Sequence, residues 1–313
     1  MTLVSCYAPR MPPSRSTLLR VRREVLQWYA RERRDFPWRG ARDPYAVLVS
    51  EVMLQQTQAA RVAERFPRFL ARFPSAAALA DAPRAAVLAE WSGLGYNRRA
   101  IALQSAAGAV ARDGWPRDVP ALERLPGIGP YTARAVASLA FGARVGVVDT
   151  NVRRWLVRRF GLRTGPGRPA AELQDLADAL ASAGNPGPDE AGAWTHASME
   201  LGATVCRSRS PRCDACPVAR GCPSRGRVVP VRVARQPAFT GSTRETRGRI
   251  LRILAAAPGH AIPTSQAVAL GTDPGVAAQL VAALEREGLV HRRGGNLHLG
   301  SAAAEDRAAT IGA

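Results

Sequence analysis

Apolar residues recur along the chain mostly at helical spacing, and stretches that alternate residue by residue are scarce. In residues 17–34, TLLRVRREVLQWYARERR, Leu18, Val21, Val25, Leu26 and Tyr29 fall on one face with arginines opposite, the pattern of an amphipathic helix. FPWRG at 36–40 interrupts it. Further helices are expected at about 44–54, 58–71, 83–92, 97–112, 130–141, 150–160, 169–182 and 188–205, each bounded by Gly, Pro or a capping residue such as Gly93, Gly114, Gly142 or Gly161. One of these helices stands apart. In DPYAVLVSEVML, residues 43–54, Asp43 reads as the N-cap and Pro44 as the first helical position, and Glu51 is the one charge in a helix that is apolar around most of its circumference. Such a helix should be buried, and a buried carboxylate needs a partner, a raised pKa or a task.

Beyond residue 224 the pattern changes. SRGRVVPVRVARQPAFTGS carries no helical period, so 225–241 is expected to be a linker. A capping box from Ser242 to Glu245 then opens a helix, two more helical segments follow, and GLVHRRGGNLHLG forms a hairpin with Gly294-Gly295 at its turn. That order over 242–300 is winged-helix-like. Residues 1–16 and the tail 301–313 are expected to be disordered.

At 313 residues and 46% hydrophobic content, the chain can bury a substantial core. No run of about 18 uninterrupted apolar residues occurs. The segment MTLVSCYAPRMPPSRS holds no apolar stretch of signal-peptide length, so a cytoplasmic, non-membrane protein is expected. The formal charge of +19 points to a polyanionic partner such as nucleic acid, although arginine enrichment alongside Ala, Gly and Pro in high-G+C coding contributes to it. None of the 44 basic residues is a lysine, which removes any chemistry through a lysine Schiff base.

Three stretches carry candidate chemistry. In LERLPGIGPYTARAVASLAFG, residues 122–142, Pro126, Gly127 and Gly129 make a tight turn between two helices, and glycine at both positions permits positive φ and close approach of a ligand. The second helix begins near Pro130 and leaves N–H groups that suit an anion such as a DNA phosphate; an ordinary helix–helix turn is the plainer reading. In VGVVDTNVRRWLVRRFG, Asp149 is placed to cap a helix, and the cap bonds and helix dipole are expected to lower its pKa, keeping an anion where a cation can develop. Cys206, Cys213, Cys216 and Cys222, spaced C-x6-C-x2-C-x5-C, imply a metal in a protein without an export signal, and the spacing leaves zinc and an iron–sulfur cluster both open. Cys6 stands apart in the N-terminal segment.

Together, FPWR at 36–39, DPYAVLVSEVMLQQTQ at 43–58, WSGLGYNRRA at 91–100, LPGIGPYTA at 125–133, VDTNV at 148–152, MELGATVC at 199–206 and the cysteine array resemble the helix-hairpin-helix DNA glycosylases, and among them the MutY-type adenine DNA glycosylases, over residues 17–224. The resemblance implies a mainly α, two-lobed glycosylase fold with a 4Fe-4S cluster on the four cysteines of the 206–222 loop, followed by the small winged-helix-like unit. It implies Glu51 as a general acid at adenine N7, and Asp149 as the carboxylate that stabilises, or briefly bonds to, the anomeric carbon. The adenine would have to be flipped out of the duplex to reach them. Gln55 and Gln56 resemble residues that fill the gap, and Tyr96 the intercalating aromatic. Tyr131 and Asn151 match positions that hydrogen-bond around the aspartate and the sugar; Trp38 and Arg39 match the pocket wall. Arg207, Arg209, Arg212 and Arg220 would present positive charge beside the cluster. The implied partner is double-stranded DNA with a mismatched adenine, bound by a monomer at the bacterial nucleoid.

Two departures from the family pattern matter. His196 lies where relatives usually place Gln or Glu near the adenine. Residues 225–313 show too little strand pattern for the Nudix-like domain of full-length relatives, so this is a short form. Its winged piece either adds DNA contacts through Arg244, Arg247, Arg249, Arg292 and Arg293 or packs on the core. The implied activity is removal of adenine opposite 8-oxoguanine or guanine, with little or no strand cleavage, because Tyr131 stands where endonuclease III-type enzymes carry their lysine nucleophile. The competing readings are a mismatch thymine or oxidised-pyrimidine glycosylase, and a noncatalytic DNA-binding iron–sulfur protein.

Overall fold

The structure, a computed structural model, describes residues 13–162, 170–228, 239–271 and 273–302. Cys6, most of the expected linker and most of the expected C-terminal tail lie outside the described residues. In chain order the helices are α1 (Arg15–Glu32), α2 (Pro44–Leu54), α3 (Ala59–Arg72), α4 (Ala76–Asp81), α5 (Arg84–Glu90), α6 (Arg98–Asp113), α7 (Val119–Glu123), α8 (Pro130–Phe141), α9 (Thr150–Phe160), α10 (Ala170–Ser182), α11 (Pro188–Glu200), α12 (Thr243–Ala256), α13 (Thr264–Ala269) and α14 (Pro274–Arg286). The strands are β1 (Ala261–Pro263), β2 (Val290–Arg293) and β3 (Asn296–Leu299). The mainly α architecture matches the sequence pattern. The described residues fall into two compact units, one of 13–34 with 142–228 and one of 35–141 with 239–302.

In the first unit, α1 starts two residues before the expected point because the Ser14 side chain accepts from the Thr17 N–H and caps it. Val21, Val25, Trp28 and Tyr29 pack with Trp155 and Leu156 of α9, Leu180 of α10 and Trp194 of α11. Arg22 is also buried, against the simple reading of arginine as the solvent face. Its guanidinium donates to Glu190 Oε1 at 3.0 Å and to the carbonyls of Leu180 and Ala181, and it lies over the Trp194 ring at 5.3 Å. A buried charge is tolerated when its donors are matched in this way. The helix expected to run to 205 ends as an α-helix at Glu200 and continues as a π-helical turn, Leu201–Val205. There the Gly202 backbone passes so near α9 that a Cβ would lie 2.5 Å from the Asn151 carbonyl oxygen.

In the second unit, α2 forms as the sequence predicts. Asp43 accepts from the N–H groups of Tyr45 and Ala46, and Tyr45 through Met53 are all buried against α3, α6 and α8. Helix α4 has only six residues, too few for its periodicity to show. The C-terminal residues give α12, β1, α13, α14, β2 and β3, with an antiparallel sheet in the order β1-β3-β2 and Val290 opposite Leu299. This is the winged-helix-like order, closed over Ile250, Leu254, Val281, Leu284 and Leu297. The expected capping box does not close. The Ser242 hydroxyl donates to the Phe239 carbonyl at 2.5 Å, and the Glu245 carboxylate accepts from the Gly241 N–H at 2.7 Å.

Candidate active site

Helices α7 and α8 and the turn between them form a helix-hairpin-helix. Gly127 has φ +72°, and a Cβ there would stand 2.4 Å from the Ala102 Cβ of α6, so both the backbone and the packing require glycine. Gly129 departs from the expectation of a left-handed backbone: it is absent from the positive-φ residues, and no atom lies within 4 Å of where its Cβ would be. Its smallness instead leaves open, exposed backbone at the start of α8, where the first N–H groups can take an anion.

Glu51 is 3% exposed on α2. Its partner is Tyr131, one residue into α8, whose hydroxyl donates to Glu51 Oε2 at 2.9 Å. Gln55, at the end of α2, donates through Nε2 to the buried Thr132 hydroxyl at 3.2 Å, so α8 supports α2 at two points. Gln56 and Tyr96 are exposed, and each is a non-glycine residue in the left-handed region, with φ +55° and +48°. Residues so placed persist only where their surroundings over-determine them. Arg99 supplies that constraint. One guanidinium nitrogen donates to the carbonyls of Val52, Met53 and Gln55, and the other to the Thr57 hydroxyl and the carbonyls of Leu94 and Gly95. Trp38 is buried, stacked on Phe36 at 4.8 Å and edge-on to Phe66, while the Arg39 guanidinium lies over Phe36. In this unit Trp38 is core.

Asp149 caps α9. Its Oδ1 accepts from the Val152 N–H at 2.6 Å and its Oδ2 from Asn151 Nδ2 at 2.7 Å. The expected lowering of its pKa does not occur. Burial raises it, and the bonds from Val152 and Asn151 and the charge of Arg154 only partly offset that. Asn151 is itself oriented by Arg154, whose Nη2 donates to Asn151 Oδ1 at 2.9 Å while its Nε donates to the Cys206 carbonyl at 2.7 Å. The segment before Asp149 is held from α10. Gly146 N–H donates to Asp178 Oδ1 at 2.6 Å, and Gln174 Nε2 donates to the Gly146 carbonyl at 2.9 Å. His196 is half-buried on α11, between buried Thr195 and Ala197.

Cys206, Cys213, Cys216 and Cys222 are half-buried, in no disulfide, and line one small cleft that is partly open to solvent. Among the described residues, no three His, Cys, Asp or Glu side chains gather tightly enough to hold a single metal ion. Zinc would need four sulfurs at about 2.3 Å from one point. Four thiols lining one opening are a donor set that would suit either a zinc ion or a 4Fe-4S cluster. The loop is fastened to α9 by arginines that the sequence reading left out. Arg158 donates to the carbonyls of Arg207 and Ser208 and to Cys206 Sγ at 3.6 Å; Arg159 donates to the Gly221 carbonyl. Arg154, Arg158 and Arg159 are all buried. The one signal for them in the sequence was the pair of RR steps on α9, Arg153-Arg154 and Arg158-Arg159, set in an otherwise largely apolar helix.

Residues 49–181 match the HhH-GPD superfamily of base excision DNA repair proteins, the class to which the hairpin and its neighbouring carboxylate point. The chain is 43% identical over 284 residues to the adenine DNA glycosylase of Mycobacterium tuberculosis, covering 86% of this chain and 89% of that one. It is 40% identical over 235 residues to the adenine DNA glycosylase of Homo sapiens, covering 71% of this chain and 42% of the human protein. This chain therefore belongs to the MutY-type adenine DNA glycosylase family of that superfamily. Among solved structures, a thermostable thymine-DNA glycosylase aligns with TM-score 0.60 and 29% identity over 67% of this chain and 98% of its own. An endonuclease III–DNA complex, at TM-score 0.55 and 22% identity, supports the fold alone. The protein is a base-excision glycosylase, an enzyme that hydrolyses N-glycosyl bonds with DNA as its partner. No helix among the described residues is long and apolar enough to cross a membrane.

Proposed function

We propose that this enzyme, acting as a monomer, removes adenine mispaired with 8-oxoguanine or guanine from duplex DNA and leaves an abasic site without cutting the strand. What carries the reading is that each candidate carboxylate is withdrawn from water and held by a donor on a neighbouring residue, Tyr131 for Glu51 and Asn151 for Asp149. The naming of the relatives as adenine DNA glycosylases supplies the base. Glu51 gives a proton to adenine N7, and the C1′–N9 electron pair leaves with the base. In its ionised form, which the Val152 and Asn151 N–H donors favour against the opposing burial, Asp149 stabilises the cation at C1′. Water then adds hydroxide to C1′ and returns its proton to Glu51. Gly127, Gly129 and the start of α8 take a backbone phosphate, and Gln55, Gln56 and Tyr96 meet the opened stack. The four cysteines hold a 4Fe-4S cluster, which when bound cross-links the 206–222 loop; no step of the hydrolysis runs through it.

The test compares duplexes with adenine opposite 8-oxoguanine, guanine and cytosine, and thymine opposite guanine. Release of adenine from the first two is expected; release of thymine alone would overturn the reading. Because the chain holds no lysine, borohydride treatment during turnover is expected to trap no strong covalent DNA adduct, and a strong one would refute the monofunctional assignment. Arg154→Gln should slow base release by about tenfold while duplex binding holds, because the Asn151 amide loses its orientation; this is checked by single-turnover rates beside binding isotherms.

A further inference from the structure

We propose that the C-terminal unit is an intramolecular brace for the turn that carries Tyr96, and not a DNA-reading winged helix. The proposal rests on the reading of Tyr96 as a DNA-facing residue. A helix that reads DNA presents basic side chains on its exposed face. The exposed residues in the first two turns of α14 are Pro274, Gly275, Val276, Ala278 and Gln279, with no basic residue among them. The N-terminus of α14, where a phosphate could dock, is capped by Asp273, whose carboxylate accepts from the N–H groups of Gly275 and Val276 at 2.7 and 3.0 Å. Three of the arginines that could have lent charge are paired with carboxylates of the unit. Arg247 binds Glu287 through both nitrogens at 3.0 and 2.7 Å, Arg249 lies 3.6 Å from Glu245, and Arg292 lies 3.4 Å from Glu285.

The same unit is seated on one short helix. Both α12 and β3 pack against α5. Gly300, with φ +91°, passes so close that a Cβ on it would stand 3.1 Å from the Ala85 nitrogen and 3.5 Å from the Arg84 Cβ. Arg84 Nη1 donates to the Ser301 hydroxyl at 3.2 Å. Helix α5 then runs directly into Trp91, which is fully buried and whose Nε1 donates to the Gly95 carbonyl at 3.1 Å. Arg99 holds the Leu94 and Gly95 carbonyls from the other side. Tyr96 follows at once, 43% exposed and with its backbone in the left-handed region. The seat on α5 fixes the direction in which Trp91 enters the turn, and the turn needs fixing because its backbone is strained. A brace of this kind matters when the base stack has to be opened, and little when the adenine is already out of it.

The experiment uses full-length Gly300→Val, which adds a side chain at the tight contact, and Arg84→Ala, which removes the bond to Ser301 and the guanidinium packed beside Gly288 and serves if the first variant does not fold. Single-turnover release of adenine is measured from a mispaired duplex and from a duplex with the same adenine unpaired in a bulge, alongside hydrogen exchange of 84–97. The expected result is a fall of about tenfold on the mispaired substrate, a change of less than about twofold on the bulged one, and faster exchange at 91–97. Equal falls on both substrates, or loosened exchange in α5 with both rates unaltered, would overturn the proposal. If the parent protein releases adenine from neither substrate, it is the reading of the site that fails. The brace is then judged by exchange alone: faster exchange at 91–97 in the variants supports it, and unaltered exchange overturns it.

Discussion

Asp149→Asn protein is expected to bind mismatched duplex with nearly the affinity of the parent and to release adenine at least about a thousandfold more slowly. Asn is nearly isosteric and caps helices as well as Asp, so the bond from the Val152 N–H and the start of α9 survive. What disappears is the charge, together with the oxygen that accepts from the Asn151 amide. The consequence of the lost charge for stability has the opposite sign. Burial lifts the Asp149 pKa above the ordinary aspartate value, so the native protein binds that proton more tightly than the unfolded chain does. Ionising it therefore costs native stability. The cost is absent below about pH 4, the unfolded value, and grows until pH passes the raised native pKa. The melting temperature of the Asn variant relative to the parent should consequently rise as pH is raised from about 4 toward neutrality. In the parent, base release should fail on the acid side at a higher pH than an ordinary aspartate would set. Thermal melts and single-turnover rates across this range check both halves; an Asn variant whose relative melting temperature does not rise with pH and which is fully active would remove Asp149 from the chemistry.

What could be read from the sequence is what depends on near neighbours in the chain. Asp43-Pro44 announced the start of α2, and the unbroken apolar run after it announced that Glu51 would be buried; both hold in the structure. The hairpin glycine at 127 was legible because its turn is local, and so was the Gly294-Gly295 hairpin. What escaped depends on residues remote in sequence. Arg22, Arg154, Arg158 and Arg159 look like solvent-facing charge until the carbonyls of 180–181 and of the 202–221 stretch are brought to them. Helix α11 gives way to a π-helical turn where Gly202 meets the Asn151 backbone, a contact no periodicity can show. The Asp149 pKa was misjudged for the same reason: the cap bonds that lower it are local, whereas the burial that raises it comes from the tertiary fold. The pairing of Tyr131 with Glu51 joins residues eighty positions apart. Family resemblance had supplied Tyr131 as a polar residue of the site but had placed it around the aspartate and the sugar.

That pairing allows the second large effect to be separated into partner and task. Glu51→Gln keeps the shape of the side chain and an oxygen that accepts from the Tyr131 hydroxyl, but it has no acidic proton to give. Adenine release should fall by about 10²–10⁴, the usual range for a general acid, with the fold and duplex binding unaltered. Tyr131→Phe does the reverse. The carboxyl stays, and one donor to its ionised form is lost, so the acid keeps its proton to higher pH and the alkaline limb of the rate profile moves upward with a loss of only about tenfold. A nucleotide whose base departs without protonation distinguishes acid catalysis from a misshapen pocket. Glu51→Gln should cleave it at close to the parent rate, whereas a pocket damaged by the substitution would cleave it as poorly as it cleaves adenine. Failure of that rescue would take the proton-donor role away from Glu51 and leave its burial beneath Tyr131 as a structural contact alone.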